Sequence, residues 1–114
     1  MKARRATPLK KIQLLILDVD GVLTDGRLYF GPKGEALKVF HVRDGHGIKL
    51  LMAAGVQIAA FSGRRSAATA ARLRELGVPT VVQGCTDKLA ALKARYDPAN
   101  VLSLNPNIFP AEAA

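Results

Sequence analysis

The stretch LLILDVDGVLTDGRLYFG, residues 14–31, joins an apolar run to two aspartates, Asp18 and Asp20, one residue apart. Residues 12–17 are apolar but for Gln13, which predicts a β-strand covered on both faces. Alternation along extended backbone sends residues i and i+2 the same way, so both carboxylates can face one ligand. Two bare carboxylates at that range repel each other. A divalent cation relieves the conflict, and Mg²⁺ favours hard oxygen ligands with retained waters. Gly21 allows a tight turn directly after them. Read alone, the pair serves equally as a loop or helix cap.

The rest of the chain supplies a frame for that strand. Residues 45–54 have helical spacing at Ile48, Leu51 and Met52, with Gly55 as a stop. Residues 56–61 read as a second buried strand, 66–76 as an alanine-rich helix halted by Gly77 and Pro79, and 80–82 as a short strand. Residues 86–96 read as a third helix with Thr86 or Asp87 near its N-cap, and 101–104 as a fourth short strand. Strands alternating with helices predict an open parallel α/β sheet with helices on both faces. One insertion interrupts the alternation. The segments RLYF and ALKVF flank Gly31-Pro-Lys-Gly34, a β-hairpin over about residues 27–41. The hairpin would rise above the carboxyl edge of the sheet, where ligands bind in such folds.

Further polar residues share that edge. Ser62 ends the second strand in AAFSGRRS, and its hydroxyl and the nearby amides suit a phosphate oxygen. It reads also as a helix N-cap. Lys88 opens the helix after the third strand and would neutralise a phosphate or an aspartate; a solvated surface lysine is the plainer reading.

Bulk properties bound the possibilities. The chain has 114 residues, a single cysteine, Cys85, and a formal net charge of +8. That length suits one domain, here residues 12–104, between a basic tail over 1–11, expected to be mobile, and an atypical tail over 105–114. One cysteine excludes an internal disulfide framework and favours a reducing, cytoplasmic setting, with Cys85 expected as a small, partly buried residue. The basic start is not followed by a signal-peptide core, and no run approaches the roughly 20 apolar residues that span a membrane. The positive charge suggests anionic partners. The basic residues are scattered, aromatics are few, and no nucleic-acid motif is present, so a small anionic substrate is the better expectation.

DVDGVLTDG, the hydroxyl-Gly-Arg after the second strand and the lysine at the start of a later helix together resemble the haloacid dehalogenase superfamily of phosphatases. LKVFHVRDGHGIKLL, residues 37–51, FSGRRS, residues 61–66, and QGCTDKLAAL, residues 83–92, narrow the likeness to 3-deoxy-D-manno-octulosonate (Kdo) 8-phosphate phosphatases, which serve lipopolysaccharide biosynthesis. The resemblance implies a fold without a large cap domain and a homotetramer whose hairpins cover neighbouring active sites. It implies Asp18 as nucleophile forming an aspartyl-phosphate, and Asp20 as general acid and then base. Mg²⁺ would be held by the Asp18 carboxylate and the Asp20 backbone carbonyl. Ser62, the Gly63 amide and Lys88 would bind the phosphoryl oxygens. His41, Val42, Arg43, Asp44 and Gly45, with Arg64, Arg72 and Lys49, would contact the sugar acid, whose carboxylate matches the planar arginine fork. A solvated helix face is the plainer reading of Arg72, and packing or surface that of His41 and His46, neither of which is assigned a proton.

The likeness breaks after residue 92. The family carries Gly-Asp-Asp-x-x-Asp after its fourth strand, whose first aspartate completes the metal site. Here Asn105, Pro106 and Asn107 stand in that place. Loss of an anionic ligand weakens Mg²⁺ binding, and Glu112 is a distant substitute. The sequence therefore also admits an alternative, a non-catalytic relative that binds an anion or assembles with other subunits.

Overall fold

A computed structural model describes residues 9–96 of the chain. The carboxylate-bearing strand β1 (Leu14–Leu17) runs parallel to β4 (Gln57–Ser62), and β4 runs parallel to β5 (Thr80–Gln83), in the order β1-β4-β5. Leu15 pairs with Ile58 and Leu17 with Ala60 across the first interface, and Ala60 with Val81 across the second. All three carboxyl ends therefore lie along one edge. The connections are α1 (Val42–Ala53) and α2 (Ala67–Leu76), and α3 (Lys88–Tyr96) follows β5.

One face of the sheet is well packed. Ile58 and Ala60 of β4 join Ile48 of α1 and Leu73 and Leu76 of α2 in a core that also takes Val19, Leu23 and Val78. The alternate β4 residues, Ala59 and Phe61, are buried toward the opposite face. There Ile16, Leu17, Phe61, Leu89 and Leu92 line a groove of about 280 Å³ beside α3. The expected arrangement, parallel strands with helices on both faces, is present.

Several boundaries differ from expectation, each for a local reason. β1 begins at Leu14 rather than residue 12; Ile12 is exposed, and Leu9–Lys11, expected in the tail, form a 3-10 turn. β1 is half-buried throughout instead of covered, because only β4 flanks it among the described residues. α1 starts at Val42, not residue 45, because His41 caps it: Nδ1 of His41 accepts from the Arg43 N–H at 3.0 Å. Leu51, expected in the core, is exposed on α1. Its carbonyl accepts the Val56 N–H, and that of Met52 accepts the Gly55 N–H, closing the helix end. Ser66 is the N-cap of α2 and not its first residue, its hydroxyl accepting from the Thr69 N–H. β5 runs on to Gln83, whose amide makes two hydrogen bonds to the Ser66 backbone and so ties β5 to the start of α2. α3 begins at Lys88, with Asp87 accepting from the Ala90 N–H at 2.9 Å; Thr86 lies outside it.

The insertion is a short hairpin, β2 (Tyr29–Gly31) and β3 (Gly34–Leu37). Gly31 faces Gly34 across a Pro32-Lys33 turn, and a register shift falls between Tyr29 and Phe30. It is smaller than the sequence suggested: residues 27, 28 and 38–41 lie outside its strands. The expected fourth strand over 101–104, Asn105, Pro106, Asn107 and Glu112 lie outside the described residues.

Candidate active site

The turn after β1 is built around its own backbone. The Val22, Leu23 and Thr24 N–H groups all converge on the Val19 carbonyl, at 3.2, 2.9 and 3.2 Å. The Thr24 hydroxyl accepts from the Gly21 and Gly26 N–H groups, each at 3.2 Å, and so pins both ends of the loop. Gly21 and Gly26 both adopt φ near +84°, a backbone state that costs glycine little. Val19 and Leu23 are buried in the core. With Val19 pointing inward, Asp18 and Asp20 on either side of it turn out to the carboxyl edge, which answers why two aspartates stand one residue apart.

The two carboxylates have different partners. Asp18 Oδ1 accepts from the Val19 N–H at 2.8 Å and from Lys88 Nζ at 2.9 Å. Lys88 is the first residue of α3, so the sheet order brings the end of β1 and the start of α3 together across the site. Asp20 Oδ1 accepts from Lys38 Nζ at 2.5 Å, and Arg64 Nε lies 4.0 Å from Asp20 Oδ2. Lys38 Nζ also stands 3.4 Å from Glu35 Oε1, and Arg64 Nη2 lies 3.2 Å from Glu35 Oε2. The Arg64 guanidinium sits 6.0 Å from the Phe30 ring centroid. The hairpin is thereby joined to the loops after both β1 and β4.

Ser62, the last residue of β4, is buried and firmly held. Its carbonyl accepts from the Cys85 N–H at 3.2 Å and the Cys85 thiol at 3.4 Å, and its Oγ accepts from the Arg64 N–H at 3.3 Å. Cys85 is half-buried, as expected. Gly63 and Arg64 follow on an exposed turn at the same edge.

The other residues expected at the site lie on α1 and α2 or at the cap of α1. Arg72 pairs with Glu75 at 3.3 Å and lies against Gly45, where α1 and α2 approach. Gly45 is buried, and a Cβ there would collide with the Arg72 guanidinium and meet Leu76 at 2.9 Å, which gives this glycine a packing reason. Val42, Arg43, Asp44 and Lys49 are exposed on α1, with His41 exposed at its cap. Among the described residues none of them is hydrogen-bonded or ion-paired to Asp18 or Asp20. Conversely, Lys38 and Glu35 reach the site without having been expected there. The alternation of GEALK, with the two residues three apart, is the only trace in the sequence.

The donor set suits a hard cation of low protein coordination. Among the described residues no cluster of three or more His, Cys, Asp or Glu side chains could enclose a metal. Mg²⁺ does not need one: it is commonly bound through one or two carboxylates, with waters and substrate phosphate completing the shell. Both partners of Asp18 described above sit on Oδ1, and the Asp20 carboxylate is engaged by Lys38, leaving its backbone carbonyl as the other hard donor.

No family model matches the chain. It is 49% identical over 83 residues to the 3-deoxy-D-manno-octulosonate 8-phosphate phosphatase KdsC of Haemophilus influenzae, covering 73% of this chain and 46% of that protein. The solved structures that share the fold include two metal-bound phosphatases. That of the Moraxella catarrhalis phosphatase of the same name, in complex with magnesium, phosphate and a Kdo molecule, gives a TM-score of 0.72 at 37% identity, over 80% of this chain and 52% of that one. The cobalt-bound Haemophilus influenzae phosphatase gives 0.73 at 47% identity, over 79% and 53%. The fold is that of the haloacid dehalogenase superfamily phosphatases. Within that class the chain is a relative of the Kdo 8-phosphate phosphatases, in agreement with its motifs, and it spans about half the length of the curated relatives it matches.

Proposed function

We propose that this chain is a Mg²⁺-dependent phosphomonoester hydrolase acting on a phosphorylated sugar acid such as Kdo 8-phosphate. The observation that carries the reading is the meeting of Asp18 with Lys88 at 2.9 Å, beside Asp20 and Ser62 on one sheet edge. A carboxylate nucleophile, a neighbouring carboxyl group and a cation at the start of a helix are the parts that phosphoryl transfer through an enzyme carboxylate requires.

Asp18 attacks phosphorus in line, the bond from phosphorus to the sugar oxygen breaks, and Asp20 gives that oxygen a proton. Asp20 then takes a proton from the water whose oxygen displaces Asp18 from the aspartyl-phosphate, releasing inorganic phosphate and restoring both carboxyl groups. Lys88, the Ser62 hydroxyl and the Gly63 amide hold the phosphoryl oxygens. The Asp18 carboxylate and the Asp20 carbonyl would hold Mg²⁺, which when bound would supply positive charge against the transferring group.

Arg64, at the same edge, is the residue best placed to meet the sugar carboxylate. His41, Arg43, Asp44 and Lys49 are available to a neighbouring subunit. Phe30, Leu37, Val39 and Val42 are exposed along the hairpin and the start of α1, an apolar surface that supports assembly of copies of this chain, a tetramer by resemblance. A cytoplasmic setting agrees with one unpaired cysteine. The non-catalytic alternative is not favoured, because the relatives found bear the names of phosphatases.

Phosphate release from Kdo 8-phosphate across a Mg²⁺ titration tests the reading, with Asp18→Asn alongside. Saturable release that needs Mg²⁺ and is lost in Asp18→Asn is expected. Absence of release at every Mg²⁺ concentration, from folded protein, overturns it.

A further inference from the structure

We propose that Lys38 is a positioning residue that decides which oxygen of Asp20 transfers the proton, an inference that rests on the phosphatase reading above. Lys38 follows directly on β3, and its side chain is only 3% exposed. A buried ammonium beside a surface hairpin needs anions around it, and among the described residues Lys38 has Asp20 and Glu35. Arg64 bridges Glu35 and stands near Asp20, so two cations and two anions close a ring that spans the hairpin and both catalytic loops.

The ring treats the two Asp20 oxygens unequally. Oδ1 accepts from Lys38 Nζ, whereas among the described residues Oδ2 has only Arg64 Nε, at 4.0 Å, beyond hydrogen-bond range. An ammonium group donates and has no acceptor, so Oδ1 is held as the acceptor and Oδ2 is the oxygen left free to carry and pass on a proton. Oδ1 is the anchor. Oδ2 gives its proton to the sugar oxygen as the phosphorus–oxygen bond breaks, and recovers one from the attacking water. Anchoring one oxygen also fixes the direction of the other, and proton transfer depends on that direction.

The test separates positioning from general support of the fold. In Lys38→Met, kcat/KM for an alkyl phosphate is expected to fall about a hundredfold, within the range of general acid catalysis. For p-nitrophenyl phosphate, whose leaving group departs without a proton, the loss is expected to stay below about fivefold. Lys38→Arg, which keeps a donor-only cation, is expected to recover most of the lost selectivity. Equal loss on the two esters, or none on either, overturns the proposal.

A second measurement needs no turnover. The Hα–Hβ couplings of Asp20, read by NMR, are expected to report one rotamer in the parent chain and averaging in Lys38→Met. One rotamer in both overturns the positioning role. Should Lys38→Met not fold, Lys38→Gln, neutral and polar, is read in the same two ways. A parent chain that hydrolyses neither ester defeats the phosphatase reading, and the couplings still decide whether Lys38 positions Asp20.

Discussion

Asp18 leaves 42% of its side chain exposed and meets one cation, Lys88, whereas Asp20 is 23% exposed and lies between Lys38 and Arg64. They belong to one turn and share one sheet edge, yet one is open and the other is braced. Openness suits a group that must be reached by phosphorus along a line. Bracing suits a group whose proton must leave in a fixed direction. The cations differ in kind as well: Lys88 is half-exposed at a helix start facing the edge where a phosphate would arrive, while Lys38 is enclosed and turned toward carboxylates. On the proposed mechanism, any division of labour between the two aspartates rests on their surroundings and not on their chemistry, which is identical.

Asp18→Asn breaks that comparison on its open side and carries the largest expected effect. Asparagine keeps an acceptor for the Val19 N–H, so the turn survives, but the amide does not attack phosphorus. A fall in kcat of about 10⁴-fold or more is expected. Intact-protein mass after an acid quench is expected to show a phosphoryl adduct on the parent chain and none on Asp18→Asn. An adduct that persists moves the nucleophile elsewhere.

Asp20→Asn acts on the braced side and should cost less. Loss of general acid catalysis corresponds to about 10²–10⁴ in kcat/KM for a sugar phosphate. The fall is expected to shrink for an ester with a good leaving group, which the Asp18→Asn loss does not do. Identical losses on both kinds of ester would erase the distinction between the two aspartates.

Lys88→Met tests the open side again, more gently. Removing a preorganised cation from a transferring phosphoryl group corresponds to about a hundredfold in kcat/KM. Binding of Mg²⁺ alone should move in the opposite direction, tightening severalfold in calorimetry, because Asp18 loses a competing positive charge. A cation that only decorated the surface would change neither quantity.

How much of this was legible beforehand follows from where each residue stands. Asp18, Asp20, Ser62 and Lys88 sit at strand ends or at a helix start, so a correct order of elements delivers them to one edge. The core face of α1 was legible in part: Ile48 and Met52 turn inward, but Leu51 does not, and the helix start was obscured by Gly45 and Gly47. His41 resolves that by capping a helix whose first turn the glycines disguise. Lys38 and Glu35 were not legible. Their direction depends on a bulged hairpin docking over a turn, a tertiary contact that no local period encodes. The half-burial of β1 was missed for a similar reason, since cover on a strand is a property of its neighbours.

Arg64 is the residue on which the asymmetry can be sharpened most finely, and it carries the smallest expected effect. Its side chain is 43% exposed, with the guanidinium bonded to Glu35 and set over Phe30, and Asp20 Oδ2 only at 4.0 Å. An ion pair that open contributes at most about 1 kcal/mol to stability and weakens with salt, so Arg64→Met should shift a urea midpoint only slightly. If Arg64 instead meets the sugar carboxylate, KM for Kdo 8-phosphate should rise about tenfold with kcat nearly unchanged, and Arg64→Lys should not restore it, because the planar fork is lost. A substrate without a carboxylate should be indifferent to the change. Were Arg64→Met to cost as much as Asp20→Asn on every ester, Oδ2 would be held as firmly as Oδ1. Asp20 would then be braced from both sides, and the free oxygen from which its proton departs would have to be sought in a different arrangement of the ring.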